Sequence, residues 1–197
     1  MSTEPDAGLI EQPLDSQQAF RGAFLDVRRD RVRLPDGRDA QREYIVHPGA
    51  AMVVPLLPDG RFLMERQYRH PMGRVMLEFP AGKLDPGEPP EACARRELRE
   101  ETGYQAAAWA NAGAMHNAIA YSNEVIHVFF ARDLVQGVRR LDEGEFLDLV
   151  AIEPAALDAA CARGEVTDAK TLVGLLWWHR WRAGAWPLTW TTVDVGG

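Results

Sequence analysis

Alternation of apolar and polar residues predicts strands along the first half of the chain. The segments FLDVRRDRVRL and REYIVH, between residues 20 and 47, flank a Pro-Asp-Gly turn and predict an antiparallel strand pair. The segments AMVVPLL and RFLMERQ, residues 51–57 and 61–67, flank a second Pro-Asp-Gly turn and predict a hairpin near the centre of a mixed sheet. VMLEFPAG then predicts a short strand that ends at Pro80.

Helices and strands alternate in the second half. Residues 91–102 are strong helix formers that follow two prolines and precede Gly103, a suitable C-cap. EVIHVFFARDL and FLDLVAIE predict strands, PAALDAACARG predicts a short helix, and residues 168–182 predict a longer one that Thr167 or Asp168 could cap. Three tryptophans within residues 177–181 of this helix predict burial on two sides, or partial contact with another chain.

Three regions differ in composition. Residues 1–17 are polar and acidic with two prolines, and predict a flexible tail. Residues 18–48 predict a small N-terminal β subdomain, and residues 49–197 predict the main α/β domain. A hydrophobic fraction of 46% in 197 residues is enough for an ordinary buried core.

Composition restricts the compartment and the partners. The two cysteines lack metal-ligand spacing and are too few for a disulfide framework, no long apolar stretch is present, and the start has no signal-peptide pattern. We therefore expect a cytoplasmic protein that does not span a membrane. A net charge of -7 disfavours stable binding to nucleic acid, and an anionic substrate would need cations to offset repulsion.

Residues 82–104, GKLDPGEPPEACARRELREETGY, carry the strongest chemical signal. On a helix, Glu97, Glu100 and Glu101 share one face, so their charges repel unless a cation lies between them. Mg²⁺ suits such carboxylates, and Mn²⁺ fits the same ligands. A solvated acidic helix face is the alternative interpretation of an isolated run of this kind.

Three further residues of this segment are interpreted as supporting. Arg96 is placed to orient a carboxylate, Gly82 permits a tight loop, and Glu88 can hold the loop on the helix or add an acidic group.

The complete spacing of this segment resembles the Nudix box, the signature of the Nudix hydrolase superfamily. ERQYR at residues 65–69 and LEFPAGKLDPGE at residues 77–88 are similar to the ADP-ribose and nucleoside-diphosphate-sugar pyrophosphatase branch. The resemblance implies an α/β/α sandwich with a mixed sheet, an N-terminal antiparallel β subdomain, and a homodimer formed through that subdomain.

The resemblance also implies roles for individual residues. Glu97, Glu101 and the carbonyl of Ala81 would bind the metal, and Glu100 would share a metal or orient water. A loop glutamate before a late strand often supplies the general base in this branch, and LDEGEFLDL offers Glu143 and Glu145. Glu145 is favoured because it directly precedes the apolar strand, although the same stretch also suits an acidic surface turn.

Candidate substrate-binding residues lie outside the box. Arg66, Tyr68 and Arg69 could clamp a diphosphate or stack on a base, or they could simply pack the strand. In the stretch AIAYSNE, Ile119 replaces the proline typical of members that cleave ADP-ribose, while the Ser-x-Glu ending with Glu124 is kept as a candidate substrate contact. Another nucleoside diphosphate sugar therefore stays open as the substrate.

The resemblance implies metal-dependent attack of water on a diphosphate, which yields a nucleoside monophosphate and a sugar phosphate. Hydrolysis of dinucleoside polyphosphates or nucleoside triphosphates is the alternative within enzymes. A sensor that binds ADP-ribose without cleaving it is disfavoured, because this chain keeps all the box glutamates.

Overall fold

The computed structural model describes residue 6 and residues 8–195, which divide into two compact units. One unit contains the described residues up to 47 together with residues 116–124, and the other contains residues 48–115 and 125–195. The sequence interpretation places its domain boundary at residue 48, and the N-terminal segment of the first unit ends at residue 47. The segment 116–124 was expected in the main domain, but its backbone bonds to the N-terminal unit, where Ile45 N–H donates to the carbonyl of Tyr121 over 2.8 Å.

The N-terminal unit is a three-stranded antiparallel sheet. Its strands are, in spatial order, β1 (Gln12–Arg21), β2 (Asp26–Arg33) and β3 (Asp39–Val46). The predicted strand pair is the pairing of β2 with β3.

The boundary of the predicted tail needs correction, because residues 12–17 belong to β1 and pair with β2. All ten residues of β1 are exposed, so this strand has no apolar alternation and depends on backbone pairing and on contacts such as the Arg31–Asp15 ion pair at 2.9 Å. Such non-local contacts leave no pattern in a polar stretch. Residues 1–5 and 7 of the predicted tail lie outside the described residues.

Two sheets form the larger unit. Its strands are β4 (Ala50–Pro55), β5 (Phe62–Arg69), β6 (Arg74–Glu78), β7 (Ala81–Lys83), β8 (Tyr104–His116), β9 (Val125–Gln136), β10 (Leu147–Ile152) and β11 (Trp190–Thr192). The mixed sheet has the order β11-β8-β9-β4-β7, with β4 parallel to β9, and the second sheet has the order β10-β5-β6. A short 3-10 turn, His70–Met72, links β5 to β6.

The predicted hairpin of two strands around residues 58–60 is wrong. β4 and β5 lie in different sheets. The two segments are joined at the turn by an isolated bridge between Leu56 and Phe62 and by the N–H of Leu57, which donates to the carbonyl of Arg61 over 2.9 Å. β4 is buried along its whole length because it pairs with β9 and β7 and has cores on both faces. A fully apolar strand of this kind is typical of a central parallel position, which a turn signal alone does not reveal.

In the described part of the chain, three α-helices cover the sheets of the larger unit. They are α1 (Pro90–Glu97), α2 (Pro154–Ala162) and α3 (Ala169–Arg182). Asp168 caps α3 by accepting from the N–H of Thr171 at 2.9 Å, as one of the two predicted capping residues. No helix among the described residues is long and apolar enough to cross a membrane.

Two apolar cores lie on opposite faces of the mixed sheet. Cys93 and Leu98 from the α1 side pack against Ala51 and Val53 of β4. On the other face, Met52 and Val54 of β4 join a core that also contains side chains from β5, α2 and α3. The layers confirm the expected α/β/α arrangement with a mixed sheet.

The tryptophans of α3 are accounted for within the larger unit. Trp177, Trp178 and Trp181 pack against the α3-side core, and the ring of Trp178 lies 5.4 Å from that of Phe62 in an edge-on arrangement. Trp181 contacts the ring of Phe130 in the same core. Burial on two sides is thus the interpretation that the packing supports.

Candidate functional site

The acidic helix of residues 91–102 is regular only in its first part. α1 ends at Glu97, and residues 98–102 form a wider π-helical turn that ends at Gly103 with a φ of 77°. A wider turn changes the angle between successive side chains, and such turns occur frequently at functional sites. Glu100 and Glu101 lie in this turn, so the three predicted carboxylates are not spaced as on an ideal α-helix.

Arg96 links the loop and the helix of the acidic segment. Its Nη1 donates to Glu97 Oε1 at 2.7 Å and to Glu100 Oε2 at 3.2 Å. Its Nε and Nη2 donate to the two oxygens of Glu88 at 2.9 and 2.8 Å, and Nη2 also reaches the carbonyl of Lys83 at 3.0 Å. The Arg96 guanidinium holds the pKa of Glu88 down at about 2. The structure thus brings together Arg96 and Glu88, two of the three predicted supporting residues.

Gly82 lies directly against the carboxylate of Glu97. A Cβ at position 82 would overlap the Glu97 carboxyl group, so only glycine leaves room for it there. Burial raises the pKa of Glu97, and Glu100 and Glu145 add to this effect, while Arg96 opposes it. The tight loop that the sequence predicts therefore leaves room for the side chain of Glu97.

Glu101 is almost completely buried, with 3% of its surface exposed. Its Oε2 accepts from the backbone N–H of Ala81 at 3.1 Å. Ala81, whose carbonyl was expected to bind the metal, thus contacts this carboxylate through its amide. Burial raises the pKa of Glu101 to about 10, and the charges of Glu65, Glu97 and Glu145 act in the same direction.

Glu65 is a buried member of the same cluster that the sequence interpretation did not assign to the site. It is fully buried in β5, and neither of its carboxylate oxygens has a hydrogen-bond partner among the described residues. Burial raises its pKa to about 8, and the charges of Glu78 and Glu145 contribute. The sequence feature that could have identified Glu65 is its place as a charged residue directly after the apolar run FLM of β5.

Glu145 reaches the cluster from the loop before β10. Its Oε1 accepts from the side-chain amide of Gln67 at 3.3 Å, and its charge raises the pKa of Glu65, Glu97 and Glu101. Glu143 is exposed in the same loop. Sequence reasoning missed Gln67, whose only signal is that it lies two residues after Glu65 on the same face of β5.

The predicted substrate-binding residues divide between two faces of β5. Arg69 shares a face with Glu65 and makes a two-pronged ion pair with Glu78, at 2.7 and 2.8 Å. Arg66 and Tyr68 alternate with these residues and are exposed on the opposite face.

Glu124, the other predicted substrate contact, belongs to the N-terminal unit. There its carboxylate lies 3.6 Å from the ring of His47. Exposed Ile119 lies in the same loop.

The donor set fits a hard divalent cation. Within the described residues, no three acidic, histidine or cysteine side chains are grouped as a ligand set, and Arg96 donates hydrogen bonds to both Glu97 and Glu100. The carboxylates of Glu65 and Glu101 are nevertheless buried and repel each other, an arrangement that a cation with oxygen ligands would stabilise.

Comparisons with known proteins identify the family of the chain. The NUDIX domain model matches residues 46–173, and the nucleoside diphosphate sugar hydrolase N-terminal domain model matches residues 11–45. An ADP-ribose pyrophosphatase of Bacillus subtilis is 38% identical over 83% of this chain and 89% of its own length. One of Mycobacterium tuberculosis is 36% identical over 85% of this chain and 83% of its own length.

A solved structure described as an ADP compounds hydrolase superposes with a TM-score of 0.80 at 24% identity, covering 88% of this chain and 95% of that one. At this identity the superposition supports the fold alone. The chain belongs to the Nudix family, as the model matching residues 46–173 shows. It is a Nudix hydrolase, and the expected resemblance to the pyrophosphatase branch is confirmed by both domain models and by these relatives.

Proposed function

We propose that this Nudix hydrolase cleaves the diphosphate bond of ADP-ribose or a related nucleoside diphosphate sugar, with Mg²⁺ as the metal and Mn²⁺ as a substitute. The products are a nucleoside monophosphate and a sugar phosphate. The observation that carries the proposal is the pair of largely buried carboxylates on the acidic helix, Glu97 and Glu101, on which the charge of Glu145 from a distant loop acts. The names of the Bacillus subtilis and Mycobacterium tuberculosis relatives favour this substrate class.

Each residue of the cluster has a distinct part in the proposal. A bound divalent cation would neutralise the phosphate charge and favour the leaving phosphate. Glu97 and Glu101, with Glu100 and the carbonyl of Ala81, would hold this cation. Arg96 keeps the carboxylates of Glu97 and Glu100 oriented through its hydrogen bonds.

Glu145 is proposed as the general base. It accepts a proton from the water that attacks phosphorus, and the amide of Gln67 at 3.3 Å holds its carboxylate in position. Glu143 is the alternative base, but it is exposed in the same loop. The loop is anchored at its end by β10, which pairs with β5.

Substrate recognition is proposed for the arginines of β5. Arg69 is held by Glu78 on the face that also carries Glu65, so its guanidinium is available to a diphosphate only at its remaining donors. Arg66 and Tyr68, exposed on the other face of β5, and Glu124 in the N-terminal unit remain proposed contacts to the nucleoside or sugar.

The proposal includes a cytoplasmic homodimer. β1 is an exposed strand in which Leu14 and Phe20 are 40% and 55% exposed, and a second copy of the chain could cover these side chains. Sedimentation or light scattering at several protein concentrations tests this point. A monomer at every concentration would contradict it.

The test of the activity is a product screen. ADP-ribose, GDP-mannose, UDP-glucose, NADH and diadenosine polyphosphates are incubated with the protein, with Mg²⁺ and with a chelator, and the products are separated. We expect a monophosphate and a sugar phosphate from at least one sugar diphosphate, only with metal. Absence of metal-dependent cleavage would overturn the enzymatic proposal, and preference for a dinucleoside polyphosphate would overturn the substrate class.

A further inference from the structure

One face of β5 carries three polar side chains in a row. Glu65, Gln67 and Arg69 are spaced two residues apart and so point to the same side of the strand. Arg69 is satisfied by Glu78, and Gln67 donates to Glu145. Glu65 differs from its two neighbours, because it is the most buried of the three and its carboxylate has no hydrogen-bond partner among the described residues.

The cations near Glu65 are already engaged by other carboxylates. Arg69 makes both of its short contacts to Glu78. Lys170 donates to Glu78 at 3.1 Å and to Asp168 at 2.8 Å. A buried carboxylate needs a compensating positive charge or proton. Arg69 and Lys170 act on Glu65 at a distance and lower its pKa, but burial and the charges of Glu78 and Glu145 outweigh them, and neither cation donates a hydrogen bond to it.

Glu65 and Glu101 come from different elements of the larger unit. Glu101 lies in the helical segment that follows β7, whereas Glu65 lies in β5 of the β10-β5-β6 sheet. Among neighbouring charges, that of Glu65 raises the pKa of Glu101 most, and the charge of Glu145 raises the pKa of both residues. Glu65 is thus a buried, unpartnered carboxylate on the face of β5 from which Gln67 contacts Glu145, and it lies outside the box.

We propose that Glu65 is a further acidic residue of the divalent-cation site, contributed by β5, which raises the affinity of the site for the ion. This inference rests on the proposed metal dependence of the enzyme. It assigns to β5 a role in ion binding, in addition to its role in positioning Glu145 through Gln67. Loss of a residue that supports a metal site typically weakens metal binding by about 10–100-fold.

Metal binding by the full-length protein without substrate tests the proposal. Mn²⁺ is titrated into metal-free wild type, Glu65→Gln and Glu91→Gln, and free Mn²⁺ is measured by electron paramagnetic resonance. Glu91 is the matched control, because it removes the same charge from an exposed position on α1, where it pairs with Arg95. We expect an affinity about 10–100-fold lower for Glu65→Gln and an unchanged affinity for Glu91→Gln.

Thermal unfolding of the same proteins separates a binding defect from a folding defect. Glutamine keeps the shape of Glu65 and removes its charge, so the metal-free Tm of Glu65→Gln should equal or exceed that of wild type. The rise in Tm on adding Mn²⁺ should be smaller in this variant. Mn²⁺ affinity equal to wild type would overturn the role of Glu65 alone, whereas absence of Mn²⁺ binding by wild type would overturn the proposed metal dependence as well.

Discussion

Gly82 and Glu97 are in direct contact, with the carboxylate of Glu97 occupying the space that a side chain at position 82 would need. We expect Gly82→Ala to displace this carboxylate, which is the flexible end of its side chain, and to leave the backbone fold intact. The kcat of the variant should fall by at least about a hundredfold, because the displaced group is a proposed metal ligand. Steady-state kinetics with Mg²⁺ measures the change.

Gly87→Ala is the matched control for this variant. Gly87 lies in the same loop with a φ of +78° and has open space where a Cβ would be placed. Alanine there should cost about 1 kcal/mol of stability through backbone strain and change kcat little. Equal losses of kcat in both variants would show that loop strain, and not the position of Glu97, limits activity.

The hydrogen bond between Gln67 and Glu145 supports Glu145 as the general base. Glu145→Gln should lower kcat by at least about a hundredfold, because an amide cannot accept the proton of the attacking water. Gln67→Ala should lower kcat by about tenfold with little change in KM, since the base is retained but no longer held at 3.3 Å.

The variant Glu143→Gln distinguishes the two loop glutamates in the same assay. Glu143 is exposed, so we expect kcat close to wild type. A large loss in Glu143→Gln together with near-normal turnover in Glu145→Gln would reverse the assignment.

The ion pair between Glu88 and Arg96 predicts a pH-dependent stability. The pKa of Glu88 is lowered from 4.5 to about 2, so the folded state binds its proton less readily than the unfolded chain. The stabilisation is therefore complete above pH 4.5 and is lost as the pH falls towards 2. The difference in Tm between wild type and Glu88→Gln should shrink from pH 7 to pH 3, as followed by circular dichroism.

Glu91→Gln serves as the reference for this pH series. Glu91 pairs with Arg95 on the same helix, but both side chains are 40% or more exposed, and such surface pairs contribute little. Its Tm should follow that of wild type at every pH. A constant difference between wild type and Glu88→Gln from pH 7 to pH 3 would contradict the assigned role of the carboxylate charge.

At position 96, we expect arginine and lysine to differ in their effects on stability and activity. Arg96→Lys keeps one positive charge but loses the planar group that contacts Glu97, Glu100 and Glu88 at once. We expect a loss of about 1–3 kcal/mol of stability, measured by urea unfolding, and a lower kcat. Arg95→Lys, at a neighbouring, partly exposed position that pairs with Glu91, should change both quantities less. Equal behaviour of the two variants would contradict the linking role of Arg96.

The local elements were predictable because their signals lie close together in sequence. The strand pair β2–β3, helix α3 with its Asp168 cap and the end of the acidic helix at Gly103 each depend on residues within a few positions. The predicted hairpin of β4 and β5 failed for the opposite reason. β4 pairs in parallel with β9, about 75 residues later, and this partner has no local signal.

The sequence by itself determined the chemistry of this protein. The spacing of Gly82, Glu88, Arg96 and the three glutamates up to Glu101 defines the Nudix box, and helical periodicity places the carboxylates on neighbouring turns.

Only the tertiary structure decided which other groups complete the site. The pairing of β10 with β5 brings Glu145 to Gln67, and the charges of Glu65 and Glu145 both act on Glu101. Burial, which raises the pKa of Glu65 and Glu101, is a property of this packing and of no single segment.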